Sequence, residues 1–308
     1  MFKKLTLGIL SVLMGAVFIF SGYAKLYPIE PFEYTFVDMG LASWRLSPFV
    51  ARLFISLEFF IGILFILNLK IKTTCKISAV VLVVFSLYLL GLIFLTGNKG
   101  NCGCFGNYFS MTPLQALLKN AIMLIATGII YKYHKGFAFF LDKYLFYLLM
   151  TVSLVTSHVL NYVDLSYSEA YLTAREDYYK LELDTLYKYA KVNSSLPKIL
   201  SKGKHVIAFM SATCPHCRIA AKKMKIMQEK NPSLPLYLVL NGDKKDLKVF
   251  FEDTKVTNIP YCNLNGKGFV YLAGTEMPYI ILVNNGTVEN SVNYVNLDQE
   301  EIEKWISR

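Results

Sequence analysis

Acidic residues are scarce where the chain is most apolar. Residues 1–163 hold 5 Asp+Glu against 13 Lys+Arg, a net of +8, whereas residues 164–308 hold 17 against 19, a net of +2. No basic run interleaved with aromatics occurs, so the total charge of +10 does not signify a nucleic-acid surface. There is no internal repeat and no low-complexity segment. A second Cys-x-x-Cys or a His pair is also missing beside Cys214 and Cys217, so a zinc site lacks its other ligands and no metal is expected. Hydrophobic residues, by contrast, make up 54% of the 308 positions. That is more than an ordinary soluble protein carries and points to membrane spans.

Five apolar stretches approach or exceed the length of about 20 residues that a bilayer core demands. They run over roughly 5–24, 49–68, 76–96, 114–131 and 141–161. The first follows Lys3 and Lys4 as a signal peptide would, but its apolar core is too long and further spans follow. With the N-terminus inside, the inner segments hold Lys3, Lys4, Lys70, Lys72, Lys76, Lys132, Lys135 and Lys143, and the outer loops only Lys25, Arg45 and Lys99. This asymmetry orients the spans. Everything after about residue 162 is then expected outside. In a bacterium that is the periplasmic side of the inner (cytoplasmic) membrane, where disulfides persist.

Residues 164–200 read as a helical connector, because Ser168 to Lys191 is rich in Glu, Lys, Leu and Tyr and contains no Gly or Pro. From 201 the pattern becomes that of a small α/β domain. Strands are predicted at His205–Ser211, Leu236–Leu240, Ile259–Leu264, Tyr279–Val283 and 287–292, with helices at 215–230, 244–253 and 298–307. Asn284-Asn285-Gly286 marks a hairpin turn.

Four of the six cysteines form close pairs, Cys102/Cys104 and Cys214/Cys217; Cys75 and Cys262 stand alone. Close pairs mean redox chemistry or a metal. In Ser211-Ala-Thr-Cys214-Pro-His-Cys217-Arg218 the pair follows a buried-type strand and opens a helix. Cys214 then meets free N–H groups and the positive end of a helix dipole, which favour the attacking thiolate. Cys217, one turn on, is placed to resolve a mixed disulfide. Pro215 suits the first helical turn, and His216 offers a positive charge beside Cys214. Half a zinc site and a structural disulfide are the competing readings.

This segment resembles the thioredoxin superfamily through its strand–CxxC–helix order and through Met277-Pro278 just before the YIILV strand. The resemblance implies a cis-proline at Pro278, with Met277 and Pro278 flanking Cys214. The strand and helix inserted before Pro278 look like the membrane-tethered, TlpA-like branch, whereas Pro215-His216 looks like the oxidising DsbA type. Thr213 stands where a Trp often precedes the first cysteine. The direction of electron flow stays open between the two.

The second pair lies in Gly100-Asn-Cys102-Gly-Cys104-Phe-Gly106, between the third and fourth spans and on the same outer side as Cys214. A Cys-x-Cys disulfide closes a small strained ring, which makes it labile and oxidising; free thiols, or bonds to other partners, are the alternative. Residues 1–135 resemble the DoxX/MauE family of four-span membrane proteins. The matching pieces are Ser21-Gly22-Tyr-Ala-Lys25-Leu26, Leu57-Glu58 and Cys102-Gly-Cys104-Phe-Gly106. The resemblance implies passage of electrons from thiols toward a membrane quinone, with no covalently bound cofactor. Other membrane disulfide generators relay through two cysteine pairs; here there is one outer pair and Cys75, at the inner end of the third span.

Glu58 is a carboxylate inside an apolar run, which suggests function. It either moves protons or pairs with Lys25, Arg52 or Lys119. Lys119 and Asn120 are expected to snorkel outward. Cys262 reads as a small buried hydrophobe, with a redox role as the alternative. The expected architecture is an all-α transmembrane helix bundle followed by an α/β thioredoxin-like domain. It comprises a four-helix membrane domain over 1–135, a fifth, tethering span over 136–163, a helical connector over 164–200 and the thioredoxin-like domain over 201–308. The expected activity is a membrane-bound thiol–disulfide oxidoreductase acting on exported thiol-containing proteins. Reductant delivery and non-catalytic client binding are its rivals.

Overall fold

The computed structural model describes residues 2–98, 111–136, 142–163, 179–192, 200–274 and 277–308. The chain divides into two compact units, Met1–Val163 and Asp164–Arg308.

The first unit is helical. α1 (Phe2–Leu26), α3 (Ser47–Ile66), α4 (Ile71–Thr96), α5 (Pro113–Tyr133) and α6 (Asp142–Leu160) are separated by short connections, with α2 (Glu30–Asp38) an extra short helix. Among the described residues five helices are long and apolar enough to cross a membrane, and they coincide with the five predicted stretches. The helix α2 was not foreseen; it carries Pro31 in its first turn and buries Phe32, Tyr34, Phe36 and Val37. α1 and α3 meet at two glycines. A Cβ on Gly15 would lie 2.5 Å from the Gly62 carbonyl oxygen, and one on Gly62 would meet Ile19 at 2.7 Å. Close helix approach of this kind is how packing replaces the hydrophobic effect inside a bilayer. At the start of α5, Thr112 and Gln115 form a reciprocal capping box.

α6, expected only as a tether, packs on α3. The Phe146 ring meets Phe60 edge-on at 5.1 Å, and Ser157 hydrogen-bonds the Arg52 carbonyl at 3.2 Å. Just past its end, the buried Arg52 guanidinium donates to the Asn161 carbonyl and side chain at 2.7 Å each and pairs with Glu33 at 2.6 Å.

The second unit contains one sheet. Its strands are β1 (Tyr179–Lys180), β2 (Lys191–Val192), β3 (Lys204–Ser211), β4 (Leu236–Asn241), β5 (Tyr261–Asn263), β6 (Tyr279–Asn284) and β7 (Thr287–Val292). They lie side by side in the order β1-β7-β6-β3-β4-β5-β2. β3, β4 and β5 are parallel, and the β6–β7 hairpin runs antiparallel beside β3. Asn285 takes a positive φ of 49° in the hairpin turn and Gly286 one of 78°. The helices are α7 (Leu183–Tyr189), α8 (Pro215–Lys230), α9 (Lys244–Thr254), α10 (Lys267–Ala273) and α11 (Gln299–Ser307). α10 had no counterpart in the sequence reading.

The expected helical connector is corrected over its described part. Residues 179–192 form strand, helix and strand: β1 covers one edge of the sheet by pairing with β7, and β2 the other by pairing with β5. Between them Leu181, Leu183 and Leu186 bury against Ile207, Phe209, Tyr237, Val239 and Leu264. Burial of three leucines in this core outweighs the modest helix propensity that a Glu/Lys-rich segment would express alone. The segment therefore belongs to the second unit and is no spacer before it.

Candidate functional site

The dithiol sits where β3 ends. Val206 to Met210 are fully buried, and the chain leaves the sheet through Ala212 and Thr213 into Cys214, the N-cap of α8. Cys214 is half-buried and has extended backbone (φ −76°, ψ 123°). Its Sγ accepts the Cys217 backbone N–H at 3.4 Å, the geometry in which an N-terminal amide steadies negative charge on sulfur. Pro215 occupies the first turn, where its missing N–H costs nothing.

Cys217 is wholly buried. Burial pushes its thiol well above the ordinary value, and the neighbouring Cys214 adds to the effect. The two sulfurs are therefore unequal. One is accessible at a helix N-terminus; the other is shielded behind it and held as a neutral thiol. An attacking and a resolving cysteine would require such a division.

Several side chains brace the turn. Arg218 donates from Nε and Nη2 to the Ala212 carbonyl, each at 3.1 Å, and its guanidinium lies 3.7 Å from Asp253 on α9. Exposed His216 stands against the Tyr294 ring with centroids 5.8 Å apart. The loop carrying Tyr294 is held by Lys223, whose ammonium donates to the Tyr294 and Val295 carbonyls at 3.2 and 2.9 Å. Lys223 and Tyr294 escaped the sequence reading, and Arg218 was quoted there without a role. Lys223 looked like one more exposed lysine on a Lys-rich helix, and Tyr294 is 78 positions from His216.

The Met277–Pro278 peptide bond is cis. Pairing of Tyr279 with Phe209 places it beside the end of β3 that runs on to Cys214. Cys262 lies on β5 in the core cluster and is fully buried. Among the described residues no group of three or more His, Cys, Asp or Glu comes together as a metal site. Cys102 and Cys104 lie outside the described residues.

In the membrane unit Glu58 finds one of its expected partners. Lys25 Nζ approaches its two carboxylate oxygens at 2.6 and 2.8 Å, and Ser21 Oγ donates to the same carboxylate at 3.1 Å. Arg52 instead pairs with Glu33. Asn120, expected to snorkel, is 2% exposed and donates to Ser86 Oγ at 3.3 Å. Cys75 is buried in the helix cluster.

A parallel βαβ with the dithiol at its turn, then a cis-proline and an antiparallel hairpin, is the plan of a thioredoxin-like domain. The protein is thus of the class in which a multi-span helical membrane unit and a thioredoxin-like dithiol domain share one chain. Residues 3–133 match the family described as "Methylamine utilisation protein MauE", so the first four spans form a MauE-family domain and the fifth falls beyond it. The chain is 28% identical to "Protein TlpB" of Flavobacterium psychrophilum, over 92% of this chain and 89% of that protein. Among solved structures, the thioredoxin domain of a thiol-disulfide oxidoreductase from Bacteroides vulgatus aligns with 17% identity and a TM-score of 0.30, over 35% of this chain and 83% of that one. A thiol:disulfide interchange protein from Bacteroides sp. aligns with 20% identity and a TM-score of 0.31, over 36% and 77%.

Proposed function

We propose that this protein oxidises thiols of exported proteins, with the dithiol domain on the periplasmic side of a bacterial inner membrane. The observation that carries the reading is the inequality of the two sulfurs: Cys214 half-exposed at the α8 N-terminus and Cys217 fully buried behind it. In the oxidised form a substrate thiolate attacks Cys214 Sγ, the Cys214–Cys217 bond breaks and Cys217 leaves. A second substrate thiolate then attacks its partner sulfur in the mixed disulfide. The substrate keeps the new disulfide, and Cys214 and Cys217 take up the two electrons and two protons. Burial of Cys217 directs attack to Cys214.

Cys102 and Cys104 then return the pair to the disulfide and pass the electrons on within the membrane, with a quinone as final acceptor. Support comes from the Lys/Arg asymmetry, which puts both pairs outside, and from the lability of a Cys-x-Cys ring. Replacing Cys102 or Cys104 by Ser should leave Cys214 and Cys217 fully reduced in cells, read by trapping free thiols with a mass-shifting alkylator. If the pair stays oxidised, the relay is wrong.

The reverse direction, reductant delivery of the TlpA-like kind, is the second reading; similarity to a protein named TlpB across most of both chains keeps it in play. The equilibrium potential of Cys214–Cys217 separates them. A value near about −120 mV supports oxidation and one near about −270 mV supports reduction.

A further inference from the structure

Inside the membrane unit lies a cavity of about 430 Å³. Cavities of roughly 300–1,000 Å³ are the size that encloses small organic ligands. Its walls come from α1 to α5 and are almost entirely apolar, with Phe32, Phe36, Phe54 and Phe85 among them. The polar side chains in the lining include Lys25 and Glu58, with Ser21, Thr35, Lys119 and Asn120. Lys25 and Glu58 are 4% and 6% exposed at the side chain, and the Lys25 ammonium lies 5.5 Å from the Phe32 ring centre and 5.4 Å from that of Phe85.

A buried ion pair is a poor stabiliser, because desolvation offsets its attraction. Packing alone therefore gives little reason to set a lysine and a glutamate against an apolar void, and charged groups at membrane depth by default mark function. Lys119, half-buried, adds one more cation to the wall, while the Lys25–Glu58 pair balances its own charge. Its ammonium can donate to a carbonyl and its carboxylate can accept from a hydroxyl. The phenylalanine walls suit a flat ring.

We infer that this cavity is a binding site for a quinone, with Lys25 and Glu58 at its ring oxygens. The inference rests on the thiol-oxidase reading for its redox sense: a dithiol closing to a disulfide releases two electrons and two protons, and a quinone that takes up both becomes the quinol. The Lys25 ammonium is positioned to hand a proton to a ring oxygen, and the Glu58 carboxylate to take up a proton released by the dithiol and relay it.

The test is thermal unfolding of the full chain in detergent with decylubiquinone as probe and decylbenzene, which has the same chain but no carbonyls, as control. Decylubiquinone should raise the melting temperature in a concentration-dependent way, and decylbenzene should not. The combined change Lys25→Met with Glu58→Leu removes the polar end while leaving no unpaired charge, so the bundle stays folded. It should weaken binding roughly tenfold or more, as loss of hydrogen bonds to charged groups does. Val81→Phe, which fills the cavity and spares the ion pair, should abolish the shift. Absence of a shift in the wild type, equal shifts with both compounds, or a wild-type shift in the Lys25/Glu58 double variant would overturn the site. Because binding does not use the thioredoxin-like dithiol, Cys214→Ser with Cys217→Ser should shift like the wild type. A normal shift beside an unaltered Cys214–Cys217 redox state in the Cys102→Ser cell test would retain the cavity and reject the relay.

Discussion

Cys217 and Cys262 are both fully buried thiols, and burial acts on them in the same direction. Cys262 is pushed from the ordinary 9.0 up to about 11 by loss of solvent, with a hydrogen bond from the Tyr237 side opposing this in part. A thiol whose folded pKa is raised gives stability that is complete below its unfolded value and is lost as pH rises through the folded one. For Cys262 that window runs from about 9 to about 11. Two units correspond to about 3 kcal/mol at most. Thermal melts of the reduced full chain between pH 8 and 11 should therefore fall more steeply in the wild type than in Cys262→Ala. Parallel curves would show that Cys262 ionises without cost. The sequence already marked Cys214, Cys217, Pro215 and His216 through spacing alone, since a helix N-terminus is local. It could not show that Cys217 is fully enclosed, because that burial depends on residues far along the chain.

At the scale of elements, length and apolarity made the five spans readable, because a bilayer imposes the same demand on each one. α2 was missed: nine residues with two glutamates and a proline match no membrane pattern. The α7 strap was misread for the opposite reason, as its Glu/Lys-rich composition mimics a solvated helix while its leucines belong to a distant sheet. α6 shows what a tether reading leaves out. Arg52, as deep in an apolar run as Glu58, deserved the same suspicion; the structure makes it the clamp between α3, Glu33 and the residues after α6. Replacing Arg52 by Met removes the ion pair with Glu33 and the hydrogen bonds to Asn161. It should cost about 3–5 kcal/mol, the usual result of breaking a buried pair from one side. Adding Glu33→Leu should restore much of that loss. Melting temperatures in detergent check both, and an unchanged melt for the single variant would show the clamp to be incidental.

For the whole molecule, the proposed turnover requires both cysteines of the thioredoxin-like domain, whereas holding a client would require only Cys214. Cys217→Ser removes the disulfide that a client thiol would attack, so oxidation of clients should stop. The lone Cys214 can still attack a disulfide that a client already carries, displacing one client sulfur as a thiol. Without Cys217 to resolve it, that mixed disulfide should accumulate as reducible high-mass species on non-reducing gels. Function that survives this change would point to a non-catalytic assembly factor. Composition, charge asymmetry and cysteine spacing were enough to specify a membrane half, a redox half and the dithiol between β3 and α8, because hydrophobic length and helix-terminus chemistry are properties of contiguous residues. Long-range packing alone decided which charge answers Glu58, how Arg52 is used, that residues 179–192 close both edges of the sheet, and that a cavity opens beside Lys25. Each of those depends on side chains tens to more than a hundred positions apart, and their encounter is set by how the elements stack.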